Sequence, residues 1–343
     1  MRSFASFNKH AAIALFTTLL SSPGAGLHAQ TADVGVIRVW GYKGFTAQLE
    51  RWEADYTKAH PGVRFENELH SPAAVMAGLY NGVADVALMG REIWPVETMA
   101  YHWVFQQQPF GIVVATAGLN APGQSATPVV MVHEGNPLTD ITTAQLDAIY
   151  GSEHRAAPAN IRTWGALGLS GAWAARPIEA YGYGAEDALG VYFRHDILRS
   201  DFKPNPASHL LSDHDSTNVS AAKRIASGVA RKDAAIGYGA YSGNTEVKVL
   251  LVNGVMPTAQ TLADHSYPMT RVVSVYVHRE ADKALDEKVD TFVHYLLSPA
   301  AQALVNPADG LLPLTPALAA KQLQKLDAPM PKDATAAAED NQQ

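Results

Sequence analysis

Apolar and polar positions along this chain repeatedly change period, and the changes predict alternating strands and helices. Residues 34–40 form a short apolar run closed by the turn Gly41-Tyr42-Lys43-Gly44-Phe45. Across 46–60, Leu49, Trp52 and Tyr56 recur at helical spacing and Pro61-Gly62 stops the helix; 63–69 returns to strand. The pattern continues with a helix at 75–80, a strand at 85–89, a helix at 98–107 and strands at 109–117 and 129–133, the first of these two crossing to a second lobe. Thr142-Thr143 opens another amphipathic helix, with the threonine suited to its N-terminus. Residues 177–181 read as a strand, 182–187 as a loop, 188–197 as a helix and 201–218 as a polar surface loop. From Asn218 to Leu314 there follow a helix, a glycine-framed strand, a second strand ending at Asn253-Gly254, a β-branched strand opened by Pro268, and an amphipathic helix before a proline-bounded tail. The fold class is therefore α/β.

The ends of the chain alter this picture. Arg2 and Lys9 precede an apolar run from Ala11 to Leu20, and small residues lead to Ala29, the pattern of a cleavable export signal too short to span a bilayer comfortably. The last residues, PKDATAAAEDNQQ, are polar and aperiodic, and the stretch 326–343 is expected to be a disordered tail. Removing the leader takes the formal net charge from −7 to −9, with Lys and Arg scattered; nucleic acid is not an expected partner. A local nest of amide donors still allows a small anion. The sequence has 0 cysteines, which excludes disulfides, thiolate metal sites and thiol nucleophiles.

The order of several residues then resembles the phosphate-type periplasmic solute-binding proteins of ABC importers. They are Ala235-Ile236-Gly237-Tyr238, Asn253-Gly254, Tyr267-Pro268, Arg271, Ser298-Pro299, Gln302, Gly310 and Pro313-Leu314. Asn136-Pro137, the run from Thr142 to Gly151, and Trp164-Gly165 extend the likeness, as do Asp85, Arg91 and Glu92. The resemblance implies a two-lobed periplasmic-binding-protein fold of type II, with mixed sheets flanked by helices and a ligand cleft between lobes. Lobe 1 is expected from 33–115 and 268–325, lobe 2 from 116–267. It further implies a soluble periplasmic or secreted monomer that captures phosphate or another oxyanion for an inner-membrane permease. No cofactor, metal or catalytic residue is expected: there is no G-x-S-x-G elbow, H-E-x-x-H or P-loop lysine motif.

Departures from the family pattern fall on its ligand loops. The first glycine-rich loop keeps Ser71 and loses its glycines, and Gly90 replaces a serine before Arg91. Tyr181 stands where the family has an arginine, and Tyr183-Gly184-Ala185 replaces a hydroxyl-rich turn beside Glu186-Asp187. The candidate ligand residues are Tyr42, Gly44, Phe45, Ser71, Arg91, Tyr181, Tyr183 and Gly184. Arg91 offers counter-charge or an ion pair with Glu92 or Glu97, and Ser71 a hydroxyl or a helix cap. The tyrosines suit a larger, partly organic ligand or simple packing. Asp213-His214-Asp215 reads as solvated loop before metal site. Alternative functions are the same fold holding a partly organic solute, a secreted signalling or adhesion module without solute binding, and a hydrolase on this scaffold.

Overall fold

The computed structural model describes residues 35–330, apart from 157–159, 202, 242 and 282. The leader assigned to 1–29 and most of the predicted tail lie outside the described residues. The chain begins with β1 (Val36–Tyr42), α1 (Thr46–Ala59), β2 (Arg64–His70), α2 (Val75–Tyr80), β3 (Val86–Met89), α3 (Pro95–Phe105) and β4 (Phe110–Ala117). It continues through β5 (Pro128–His133), β6 (Asp140–Ile141), α4 (Thr143–Tyr150), β7 (Glu179–Tyr183), α5 (Ala188–Tyr192) and β8 (His209–Leu211). Next come α6 (Ala221–Ala230), β9 (Ala235–Ala240), β10 (Val247–Val249), β11 (Leu251–Val252) and α7 (Ala259–Ala263). The chain then returns with β12 (Arg271–Val277), α8 (Glu287–Leu296), α9 (Pro299–Ala303), β13 (Leu311–Leu312) and α10 (Pro316–Asp327).

Two mixed sheets result. The first has the order β13-β4-β12-β3-β1-β2, and the second β10-β5-β9-β7-β8; β6 and β11 form a small parallel pair. β1 pairs in parallel with β2 and β3, as short crossover helices require, whereas β12 runs antiparallel between β3 and β4. Leu49, Trp52 and Tyr56 of α1 are buried, and the Trp52 indole donates to the Ala301 carbonyl at 3.0 Å. Tyr56 meets Phe292 edge to face at 5.2 Å, tying α1 to α8. In the second sheet Tyr238 stacks on Phe193 with centroids 3.6 Å apart.

Five expectations shift. β4 stays wholly in the first sheet, and residues 118–127 make the crossing. The strand read at 177–181 lies two residues later, so Tyr183 is inside β7. The polar loop at 201–218 contains β8, and α5 passes into a π-helical turn at Phe193–Ile197. The ordered chain also outlasts the predicted boundary at 325. Leu326 is buried, Met330 packs on the first core, and Arg279 donates to the carbonyls of Leu326 and Ala328 at 2.8 Å each.

Candidate functional site

The crossing segment is stitched to both sheets. Thr127 donates through Oγ1 to the Ala117 carbonyl at 2.6 Å and accepts the Arg271 amide at 3.0 Å. Tyr267 donates its hydroxyl to the Pro128 carbonyl at 3.2 Å. Arg271 itself is fully buried, with Nε and Nη2 on the Glu92 carboxylate at 3.0 and 2.6 Å and Nη1 on the Gln124 and Ala126 carbonyls. The Tyr192 ring lies 5.1 Å from its guanidinium. Burial works to lower the Arg271 pKa, and the Glu92 carboxylate more than offsets this, holding it above the ordinary value. Nearby, burial raises the Asp196 carboxyl, and Asp196 in turn raises His195 at a ring-nitrogen distance of 3.4 Å.

Gln124 carries the network into the second sheet. Its side-chain amide donates to Asp187 Oδ1 and, at 3.0 Å, to Asp213 Oδ2, while its Oε1 accepts the Leu189 amide at 3.4 Å. Asp187 stands immediately before α5 and is 0 % exposed. The Asp213 amide also donates to Asp187 Oδ1, at 3.2 Å, whereas Asp187 Oδ2 is buried without a hydrogen-bond partner among the described residues. Asp213 is anchored by accepting the Ala221 amide at 2.6 Å. Glu92, Arg271, Gln124, Asp187 and Asp213 thus form one polar chain from the first sheet through the crossing to the second.

Three predicted residues converge here. A Cβ at Gly44 would lie 2.4 Å from the Tyr42 ring and 2.8 Å from Pro122, and one at Gly123 would lie 2.4 Å from the Tyr42 hydroxyl, so the first turn and the crossing approach closely only through glycines. Phe45 is buried in the first core, edge-on to Tyr42 at 5.3 Å. Its ring covers Gly90, where a Cβ would meet Phe45 at 2.3 Å and Ser125 Oγ at 2.5 Å. The serine of the family pattern has no room there.

The remaining candidates are placed differently. Gly184 lies in the turn before α5, but its amide already donates to the Leu211 carbonyl at 2.9 Å. Arg91 is buried and held bidentately by Glu97 at 2.8 and 2.7 Å, with further bonds to the Glu92 and Pro72 carbonyls and Trp94 4.2 Å from its guanidinium. Both of its terminal nitrogens are engaged inside the protein, the ion-pair outcome of the two that the sequence allowed. Ser71 is exposed and does not cap α2, whose N-cap is Ala74. Tyr183 is a core residue whose hydroxyl pKa is pushed up by burial and then by Asp213 and Asp187. Tyr181 faces away, stacked on His209 at 4.6 Å and lining an open groove of about 550 Å³ with Arg224, Gly228 and Lys232 of the α6 region.

The PBP superfamily domain matches residues 29–300, most of the chain. The chain belongs to the PBP superfamily. Within it, the phosphate-binding protein PstS of Pseudomonas aeruginosa is 27% identical over 283 residues, covering 81% of this chain and 83% of that protein. Protein SphX of Synechococcus elongatus is 30% identical over 195 residues, 54% of this chain and 52% of its own. Among solved structures, PstS from Borrelia burgdorferi aligns with a TM-score of 0.56 at 17% identity, covering 82% of this chain and 99% of that one. An ABC-type phosphate transport receptor from Vibrio cholerae aligns with a TM-score of 0.54 at 19% identity, covering 80% and 99%. These structures share the fold.

Several of the conspicuous motif residues are structural here. Ser298 caps α9 by accepting the Ala301 amide at 3.2 Å, with Pro299 at the first helical position. Gln302 is buried and satisfied, donating to the Val114 and Leu296 carbonyls and accepting the Leu314 amide. Asn253 and Gly254 take φ of 51° and 78° in their turn, and Gly310 takes 76° against Ala121. The motif carrying the family resemblance is therefore largely a scaffold. Sequence reading missed Gln124, Asp187, Asp213, Glu92 and Arg271 as one polar network. A signal existed for two of them: an arginine opening a β-branched strand, and an aspartate at a helix start in a loop that departs from the family pattern.

Proposed function

We propose that the chain is an exported solute-binding protein that captures a small oxyanion, phosphate first among them, between its two lobes. The observation that carries this reading is the convergence on 118–127 of four segments: the Tyr42–Phe45 turn, the Gly90–Glu92 corner, the start of α5 and the 211–214 strand end. Two segments belong to each sheet, so a solute held there favours the closed arrangement over an open one. The extent of the relation to PstS makes phosphate the first ligand to test. The closed form is presented to an ABC-type permease of the inner membrane by a monomer that catalyses no step. The lobes divide across 118–127 and near 268. Removal of the leader releases the chain to the periplasm; among the described residues no helix is long and apolar enough to cross a membrane.

Titration calorimetry of the exported chain, stripped of ligand, tests the reading. One site for phosphate at micromolar affinity or tighter, with a smaller radius of gyration on binding, is the expected result. No heat and no thermal stabilisation by millimolar phosphate, sulfate or molybdate would overturn it.

A further inference from the structure

We propose that the groove between α6 and the 217–219 loop is a second ligand site, separate from the cleft between the lobes, and that it takes a flat aromatic body carrying one acidic group. Tyr181, whose ring reads in sequence as suited to a partly organic ligand, lines this groove, and none of Glu92, Gln124, Asp187, Asp213 and Arg271 does. His209 of β8 stacks on the Tyr181 ring at 4.6 Å. Gly228 lets α6 close on the ring's edge, where a Cβ would lie 2.7 Å from it. Val219, 49 % exposed, adds apolar surface on the opposite side. The volume of about 550 Å³ lies in the range of sites for organic ligands and exceeds what an inorganic anion fills.

Charge selects the acidic group. The chain is acidic as a whole, yet residues 216–232 contain Lys223, Arg224, Arg231 and Lys232 and no aspartate or glutamate. Arg224 builds the wall: it pairs with Asp215 at 2.6 Å and donates to the Val219 and Ser212 carbonyls at 3.0 and 2.6 Å, fixing the loop opposite α6. Lys232 pairs with Glu179 beside Tyr181. Arg231 lines the same groove, is exposed, and has no ion-pair partner among the described residues. Three cations thus face two carboxylates and the negative end of α6, worth about half a charge, so the groove is net positive. A neutral aromatic would leave Arg231 unused, and inorganic phosphate would leave the apolar wall wet. A ligand with both parts satisfies both.

The test is calorimetric titration of the exported chain with 2-naphthoate, with and without millimolar phosphate to occupy the cleft. One site whose heat survives added phosphate is the expected result. Arg231→Ala should weaken 2-naphthoate at least about tenfold and Arg231→Lys by no more than about threefold, because the lost interaction is a charge-assisted hydrogen bond. The amide 2-naphthamide, with the same ring and no charge, should bind at least about tenfold more weakly than the acid. Arg231 is exposed, so these variants should melt with the wild type. Equal binding of acid and amide, or 2-naphthoate binding unchanged in Arg231→Ala, would overturn the proposal. So would the absence of heat at millimolar probe, and so would heat that phosphate abolishes, which would place the probe in the cleft. None of these results bears on the oxyanion reading, which the phosphate titration decides by itself.

Discussion

Arg91 shows how a side chain with a ready functional explanation can be wholly structural. Its guanidinium forms a two-pronged pair with Glu97 where both side chains are nearly inaccessible, and Glu97 also accepts the Trp94 amide at 2.8 Å, closing the start of α3. Arg91→Ala leaves Glu97 buried and uncompensated, and should cost about 3–5 kcal/mol in urea unfolding. Arg91→Ala with Glu97→Gln should recover part of that loss, because the abandoned charge, more than the missing contact, is expensive. A destabilisation below about 1 kcal/mol for the single variant would contradict the buried-pair assignment. Gly90 illustrates the complementary point. The departure from the family's serine reads in sequence as a lost donor, whereas in space it is the vacancy that Phe45 and Ser125 require.

At the level of elements, α1 and β2 enclose a titrating carboxyl, Glu53. Glu53 of α1 accepts the Asn67 amide at 2.9 Å, yet its Oε1 is buried without a partner among the described residues. Burial drives its carboxyl up from 4.5 to about 7, with Glu50 adding to the rise. In the unfolded chain the same carboxyl loses its proton near the ordinary value. Between that value and about 7 the native state therefore binds more protons, and stability falls as pH rises through this window. Glu53→Gln keeps an acceptor for Asn67 and removes the cost. It should gain on the order of 1–3 kcal/mol over the wild type at pH 8 and little at pH 4.5, read from denaturation midpoints at the two pH values. An equal effect at both would exclude Glu53 as the titrating group. Elements were also where sequence periodicity served best. The spacing of Leu49, Trp52 and Tyr56 marked the buried face of α1, and Thr142 caps α4 by accepting the Gln145 amide at 3.1 Å. β7 was misplaced by two residues because Tyr181, Gly182 and Tyr183 alternate with no polar stop, leaving nothing local to mark where the strand ends.

Across the whole molecule, Arg271 is the joint. It opens β12, a central strand of the first sheet, and reaches the backbone of the crossing segment, while Gln124 of that segment reaches the second sheet. Arg271→Ala should leave Glu92 and the Gln124 carbonyl without their donor. Faster amide exchange should appear across 118–127 and at the start of α5, along with a larger radius of gyration by small-angle scattering. Exchange confined to β12 would mean that the two sheets are coupled through other contacts. The division of labour between sequence and structure follows from the range of the forces involved. Helical and strand periodicity, the caps at Thr142 and Ser298 and the left-handed turns at Asn253-Gly254 and Gly310 are set by neighbours a few residues away, and these made the fold and its family legible. The site depends on contacts between residues far apart in the chain, 63 positions from Gln124 to Asp187 and 179 from Glu92 to Arg271. Whether an arginine faces a ligand or a glutamate, and whether an aspartate caps a helix or lies buried with one oxygen unpaired, is an electrostatic outcome of that packing, and only the tertiary structure decided it.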